Sequence, residues 1–243
     1  MAGLGIAVAD VRKKMRTTQA LAGVTTRFAP GTLNGLIGPD GAGKTTLLRA
    51  LMGLLRPDTG TIVYEEDGGP KPFAVVRPRM AYQPQQQSLY PDLSVGEHLE
   101  FFRELYRIPR ALYDSRRAEL LRIARLEAFT DRPAGALSGG MYKKLGLMCA
   151  LLQSPNAVLL DEPTNGVDPI SRREFWELLY RLVREGILVV LATSYMDEAE
   201  RCGAVHLLDR GTVIAAGEPR GVLAEAGVSR FEEIFLRREG AAV

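Results

Sequence analysis

Two cysteines and one tryptophan in 243 residues leave little material for disulfide or metal chemistry. Cys149 and Cys202 share no CxxC spacing and lie in apolar or helical surroundings, so buried thiols in a reducing compartment are expected. Long apolar runs are missing as well. None approaches the roughly 18–20 residues needed to span a bilayer, and no signal peptide opens the chain; a soluble, cytoplasmic protein is expected. An excess of one charge is also lacking: 31 Lys and Arg against 29 Asp and Glu give a net charge of +2, too little for a nucleic-acid partner. Neither internal repeats nor low-complexity tracts occur. What remains, 46% apolar and 25% charged residues, suits one large α/β domain or a core carrying an appendage.

The apolar pattern sets the order of elements. Residues 4–28 alternate loosely, with turn-like breaks at Thr17–Gln19 and Pro30–Gly31, and predict two strands. Leu33–Ile37 reads as a buried strand leading through a glycine-rich loop into the helix "TTLLRALMGLL", which stops at Pro57. An exposed strand follows. Residues 94–153 are mostly helical: Ser94 and Glu97 form a capping box, and "SRRAELLRIARLEAF" has the i, i+3, i+4, i+7 spacing of an amphipathic helix. Ala157–Asp161 is a buried strand ending in acids, then come a helix over about 170–185 and a strand at Ile187–Leu191. Met196–Glu200 looks like the first turn of a further helix, and "AVHLLDRGTVIAAG" is a strand pair. Strands alternating with helices imply a parallel sheet, so the helical block reads as an insertion.

Three stretches carry chemistry. "GPDGAGKTT" (Gly38, Pro39, Asp40, Gly41, Ala42, Gly43, Lys44, Thr45, Thr46) fits G-x-x-x-x-G-K-[ST] between a strand and a helix, the context the motif requires. Its glycines let backbone N–H groups turn inward around phosphate oxygens at a helix N-terminus. Lys44 would reach the β- and γ-phosphates, and Thr45 would put its hydroxyl on Mg2+. The bland alternative, a glycine turn that merely caps a helix, leaves both matching flanks to coincidence. "VLLDEP" ends a strand in two acids: Asp161 is placed to hold Mg2+, and Glu162 to polarise an attacking water. "LSGGM" (Leu137–Met141) precedes a helix; Ser138 is a hydroxyl donor, and Gly139 and Gly140 allow close backbone approach, a second possible anion cradle or a plain N-cap.

These stretches, with Gln85 and "GVD" at Gly166–Asp168, stand in the order found in the ATP-binding cassette (ABC) family, and the resemblance runs from about residue 4 to 225. "LYPDLSVGEHLEFF", "LSGGMYKKLGL" and "DEPTNGVDPISRREFW" most resemble ABC-2 type exporters, in particular the first cassette of fused two-cassette drug-efflux ATPases. The resemblance implies an α/β fold of the P-loop NTPase class, a RecA-like mostly parallel sheet with an antiparallel β subdomain and an inserted α-helical subdomain. It implies one ATP-binding domain over 1–243: a core at about 1–86 and 154–225, a helical insert at about 87–153 and a tail at 226–243. ATP and Mg2+ are the implied cofactors, the metal held by Thr45, Gln85 and Asp161. Catalysis falls to Glu162, Gln85 and the residue at Ser194. The implied partners are a second cassette, in a homodimer or a fused or heteromeric pair, and an integral membrane permease at the inner face of the cell membrane. Ser138, Gly139 and Gly140 would act on the partner's ATP, with Asp168 at the dimer seam.

Two positions depart from the family pattern. The family normally carries a histidine where this chain has Ser194, and neither His98, in the insert, nor His206, on the next strand, can replace it. A serine hydroxyl donates one hydrogen bond but has a shorter reach and no positive charge, so slow hydrolysis is expected with binding retained. The usual adenine-stacking aromatic falls at Met15, whose thioether can still lie against a purine; Arg16 is the neighbouring alternative. Two readings follow: a working ATPase of an export pump, or a nucleotide-gated module beside a competent partner. Arg103, Arg107, Arg110, Arg116, Arg117, Arg122 and Arg125 interleave with acids, which favours a solvated, salt-laced face over a lipid-facing one. Phe101, Phe102, Leu105 and Tyr106 are expected in the core of the insert.

Overall fold

The computed structural model describes residues 3–86 and 89–240. Strands β1 (Gly5–Met15) and β2 (Thr18–Phe28) form an antiparallel hairpin whose turn is made by Arg16 in a left-handed conformation, φ 54°. Strand β3 (Leu33–Ile37) is buried at every residue and runs into the loop ahead of α1 (Lys44–Leu51). The helix ends earlier than Pro57 suggested: Gly53 turns to φ 65°, and the amides of Leu54 and Leu55 fold back onto the Arg49 carbonyl. Strands β4 (Thr59–Glu66) and β5 (Gly69–Lys71) complete a four-stranded antiparallel sheet of order β2-β1-β4-β5. A short α2 (Phe73–Val76) leads to β6 (Met80–Gln83).

The helical stretch consists of α3 (Val95–Leu105), α4 (Arg110–Ala124) and α5 (Gly139–Leu151). Ser94 and Glu97 make the expected reciprocal capping box on α3. Helix α4 differs from its sequence expectation at both ends. It starts at Arg110, after Pro109, and it stops at Arg125, which adopts a left-handed φ of 57°. Cys149, buried in α5, belongs to a cluster with Val95, Leu99, Leu121, Leu145 and Met148.

Strand β7 (Ala157–Asp161) opens the return to the larger sheet, followed by α6 (Pro169–Arg184) and β8 (Leu188–Thr193). Residues Met196–Arg201 form a six-residue 3-10 helix rather than the start of an α-helix, because the chain must turn at once into β9 (Ala204–Asp209). Strand β10 (Thr212–Gly217) returns antiparallel to β9, and α7 (Pro219–Ala226) and α8 (Phe231–Gly240) follow. The larger sheet has the order β10-β9-β3-β8-β7-β6, parallel except at β10. One face packs with α1 and the antiparallel sheet, and the other holds Phe175, Trp176, Leu179 and Phe231 from α6 and α8. Both faces are thus covered, which explains why β7 and β8 are apolar up to their last residue, while the buried Asn34 of β3 is hydrogen-bonded to the Ala29 and Thr32 carbonyls. The carboxyl ends of β3, β6, β7 and β8 open on one edge, where open α/β sheets hold ligands.

The arginine-rich insert is salt-laced, as its interleaved acids suggested. Arg103 pairs with Glu100 and Glu104, Arg110 with Glu100 and Asp114, and Arg125 with Glu174 on α6. The aromatic run divides: Phe102 and Tyr106 pack on the insert core, whereas Phe101 and Leu105 are exposed. Residues four apart share a helix face, so Phe101 and Leu105 lie on one stripe and Phe102 and Tyr106 on the next, and only the second stripe meets the core.

Candidate functional site

The loop 38–43 is shaped by three glycines with different tasks. A Cβ on Gly38 would meet the Leu208 carbonyl oxygen at 2.1 Å, and one on Gly43, at φ 108°, would meet the Ala20 carbonyl oxygen at 2.5 Å. Both are required by packing against β9 and β2. Gly41, at φ 79°, has nothing within 4 Å of its Cβ position, so its loop side faces open space. Helix α1 begins without a side-chain cap, which leaves the amides of its first turn available to an outside acceptor.

Lys44 is only 5% exposed. Its ammonium donates to the Gly38 carbonyl (2.7 Å) and the Pro39 carbonyl (3.1 Å), and lies 3.2 Å from Glu162 Oε1. Thr45 Oγ1 donates to Asp161 Oδ1 at 3.0 Å, joining the loop to the end of β7, and the Tyr82 hydroxyl donates to Asp161 Oδ2 at 3.2 Å. Burial and the neighbouring Asp161 push the Tyr82 phenol up to about 12, so it remains a donor. A hydroxyl and a carboxylate beside a cationic, amide-lined loop suit a hard divalent cation bound to a polyphosphate.

Glu162 is 4% exposed and holds a left-handed φ of 47°, a conformation that costs a non-glycine residue about 1–3 kcal/mol. Its amide donates to the Ala192 carbonyl on β8 at 2.9 Å. Ser194 Oγ donates to Glu162 Oε2 at a long 3.4 Å, whereas Oε1 accepts no hydrogen bond among the described residues. The Lys44 contact to Oε1 is therefore an ion pair without hydrogen-bond geometry. Burial pushes the Glu162 carboxyl up, and Lys44 opposes the shift. A buried acid whose Oε1 is ion-paired but accepts no hydrogen bond can accept a proton from or orient a water.

Both histidines are committed elsewhere. His98 is buried, its Nδ1 donating to the Ser94 carbonyl (2.9 Å) and its Nε2 accepting from the Tyr90 amide (3.0 Å). His206 sits between Thr26 and Asn34, and burial pulls it down to about 4.

The remaining candidates lie apart from this centre. Ser138 caps α5 by accepting from the Met141 amide at 3.3 Å, and Asp168 caps α6 by accepting from the Ile170 and Ser171 amides at 3.1 and 2.9 Å. Ser138, Gly139 and Asp168 are exposed. Gly140 is buried, and a Cβ there would fall 2.2 Å from Ser171 Cβ, so the close approach of α5 to α6 needs a glycine there. The open glycine of the pair is Gly139. Met15, 44% exposed, stands at the turn end of β1, on the hairpin whose Ala20 touches the phosphate loop.

Gln85 follows β6 and is exposed; its carbonyl accepts from Lys143 Nζ at 3.0 Å. Lys143, one helical turn beyond Gly139, lowers its affinity for a proton through burial, with Asp161 and Glu162 opposing. Lys143 and Tyr82 were not singled out from the sequence. An i, i+4 step from Gly139 hints that Lys143 shares its helix face, but nothing in the sequence sets the register that brings Tyr82 to Asp161.

A profile of the ABC transporter family matches residues 21–165. The chain is 45% identical over 192 residues to the probable multidrug ABC transporter ATP-binding protein YbhF of Escherichia coli (strain K12), over 79% of this chain and 33% of that protein. It thus spans about a third of that relative's length. It is 37% identical over 219 residues to the Nod factor export ATP-binding protein I of Ralstonia nicotianae (strain ATCC BAA-1114 / GMI1000), over 90% of this chain and 68% of that one. Among solved structures, the ATP binding subunit of an ABC transporter superposes with a TM-score of 0.82 at 29% identity, over 96% of this chain and 98% of the other. The structure of cbiO1 from Clostridium perfringens, part of the ABC transporter complex cbiONQ, gives 0.80 at 28% identity, over 91% of each chain.

Proposed function

The chain belongs to the ABC transporter ATP-binding family, and from that premise we propose that it is the ATP-hydrolysing subunit, or half, of an export pump that drives a separate membrane permease. The reading rests chiefly on one observation: a buried Lys44 inside an uncapped glycine loop faces a buried Glu162, with the Thr45–Asp161 pair beside it.

When bound, ATP supplies the phosphoanhydride and Mg2+ the charge that steadies its cleavage. The amides of Gly41, Gly43, Lys44, Thr45 and Thr46 would hold the phosphates, and Lys44 would turn from the Gly38 and Pro39 carbonyls toward them. Thr45, Asp161 and Gln85 would hold the metal. Glu162 takes up a proton from water, and Ser194 offers a single uncharged hydrogen bond. Met15 lies against the base. Ser138, Gly139 and Asp168 face outward toward a second cassette, so closure of two cassettes over nucleotide moves the permease. Among the described residues no helix is long and apolar enough to cross a membrane, and a peripheral position at the inner face of the cell membrane follows from dependence on a permease.

Ser194 favours a second reading, in which this site binds ATP but turns over slowly beside a competent partner. Steady-state phosphate release at saturating Mg2+·ATP separates the two. A parent that turns over and a silent Glu162→Gln support the working hydrolase. A nearly silent parent that binds ATP and is awakened by Ser194→His supports the slow site. Turnover undiminished in Glu162→Gln would sink the role given to Glu162.

A further inference from the structure

Asp161 is a buried carboxylate, 1% exposed, with no ion pair among the described residues, since Lys44 pairs with Glu162 instead. Its charge rests on two hydroxyls, one at each oxygen. Thr45 Oγ1 donates to Oδ1 at 3.0 Å, and the Tyr82 hydroxyl donates to Oδ2 at 3.2 Å. Two neutral donors compensate a buried carboxylate poorly. A carboxylate accepts at about four positions, so part of its capacity stays open to a cation.

Strand register decides where the second donor comes from. Strand β6 pairs in parallel with β7, and Tyr82 stands opposite Leu159. Asp161 lies two residues beyond Leu159 and so shares its face of the sheet. The phenol crosses to it on the diagonal, a span that aromatic side chains can cover. On the other side of β7, Asp161 stands opposite Ala192 of β8, whose methyl group cannot donate. The two donors therefore arrive from separate elements, Thr45 from α1 and Tyr82 from the edge strand β6. A carboxylate held at one oxygen can turn about its terminal torsion, which has broad wells. Held at both oxygens, it keeps one plane.

We propose that Tyr82 is a positioning residue for the metal half of the site: its hydroxyl fixes the plane of the Asp161 carboxylate and so holds the remaining acceptor positions in one orientation for a divalent cation. The proposal rests on the ATP reading above. Groups that hold a ligating carboxylate from behind set its direction, and their loss typically lowers metal affinity about 10–100-fold. The ring of Tyr82 also packs against the core beneath α1, so the role proposed belongs to the hydroxyl alone. Tyr82→Phe removes that hydroxyl and keeps the ring.

The test is titration calorimetry of the purified chain with ATP, once in excess Mg2+ and once in a chelator, so that the ratio of the two affinities reads the metal. In Tyr82→Phe the gain from Mg2+ falls about tenfold, while affinity in the chelator stays within about twofold of the parent. Asp161→Asn removes the gain by itself, and adding Tyr82→Phe to it changes nothing further, because the two act through one group. An undiminished Mg2+ gain in Tyr82→Phe overturns the proposal. So does an equal loss with and without metal, the mark of a purely structural hydroxyl, or a further loss in the Asp161→Asn background. A parent that binds ATP with no gain from Mg2+ overturns it too and leaves the ATP reading standing. A parent that binds no ATP in either condition sinks that reading, and the proposal with it.

Discussion

The loop Gly38–Thr46 and the stretch Leu137–Met141, the signature stretch of the family pattern, are built from similar material, glycines and a hydroxyl at a helix start, yet the fold treats them in opposite ways. Around Lys44 the chain supplies every neighbour: the Gly38 and Pro39 carbonyls, the Glu162 carboxylate and the Thr45–Asp161 pair, all at the carboxyl edge of a sheet covered on both faces. Around Ser138 it supplies only a cap bond to its own helix, and Ser138, Gly139 and Asp168 face solvent. Buried charge needs partners in the same chain, since unpaired it would cost several kcal/mol, whereas an exposed hydroxyl needs none. The first region pairs its buried charges within this chain. The second is a surface that acquires meaning only against another molecule.

Removing the central cation should separate the regions most sharply. Lys44→Ala is expected to weaken Mg2+·ATP binding about 100-fold or more, the loss of roughly 3 kcal/mol from two charge-assisted hydrogen bonds. Titration calorimetry on the isolated chain checks it, and a variant that binds like the parent would remove the phosphate loop from the argument.

Acid should act next, and again on the loop's side. His206 pairs with Leu36 of β3, in the strand that carries the loop. Burial holds it down to about 4, below its ordinary value of 6.5. The folded state therefore refuses a proton that the unfolded chain accepts. Its contribution is full above about pH 6.5 and is lost as pH falls toward about 4, roughly 3 kcal/mol in all. Urea unfolding at pH 7.5, 6 and 5 should trace that loss in the parent and little of it in His206→Gln. An equal slope in both would assign the acid sensitivity to other groups.

The two signature glycines give a smaller contrast. Gly140→Ala puts a Cβ 2.2 Å from Ser171 Cβ and should cost about 1–3 kcal/mol through overpacking. Gly139→Ala meets only the Gly166 carbonyl oxygen, at 3.6 Å, and should melt like the parent. Matching losses in the two would mean that α5 and α6 are not held together at Gly140.

What could be read from the sequence divides along the same line. The loop, Asp161 and Glu162 are contiguous motifs whose spacing carries their chemistry, and the apolar runs of β7 and β8 and the buried Leu33–Ile37 place them at strand ends. Ser194 was visible because it interrupts an expected pattern. Contacts across elements were not visible. That Gly140 serves Ser171, that Tyr82 reaches Asp161 and that Lys143 holds the Gln85 carbonyl all depend on register and helix approach, which local pattern does not encode. The 3-10 geometry of Met196–Arg201 was hidden for the same reason, since the tight return into β9 decides it.

Ser138→Ala isolates the comparison with the smallest effect. The hydroxyl oxygen accepts from the Met141 amide at 3.3 Å, so its removal should cost the isolated chain about 1 kcal/mol of stability, the ordinary value of a helix cap. Among the described residues the hydroxyl donates to no group of the Lys44 site, and nucleotide affinity of the isolated chain should stay within about twofold of the parent. A second cassette changes the result. If Ser138 donates across a seam, the same substitution should lower ATP-dependent pairing about tenfold, one hydrogen bond to a charged group, measured by light scattering of the Glu162→Gln background. Loss of affinity without a partner would place Ser138 in this chain's own site and end the distinction between the two regions.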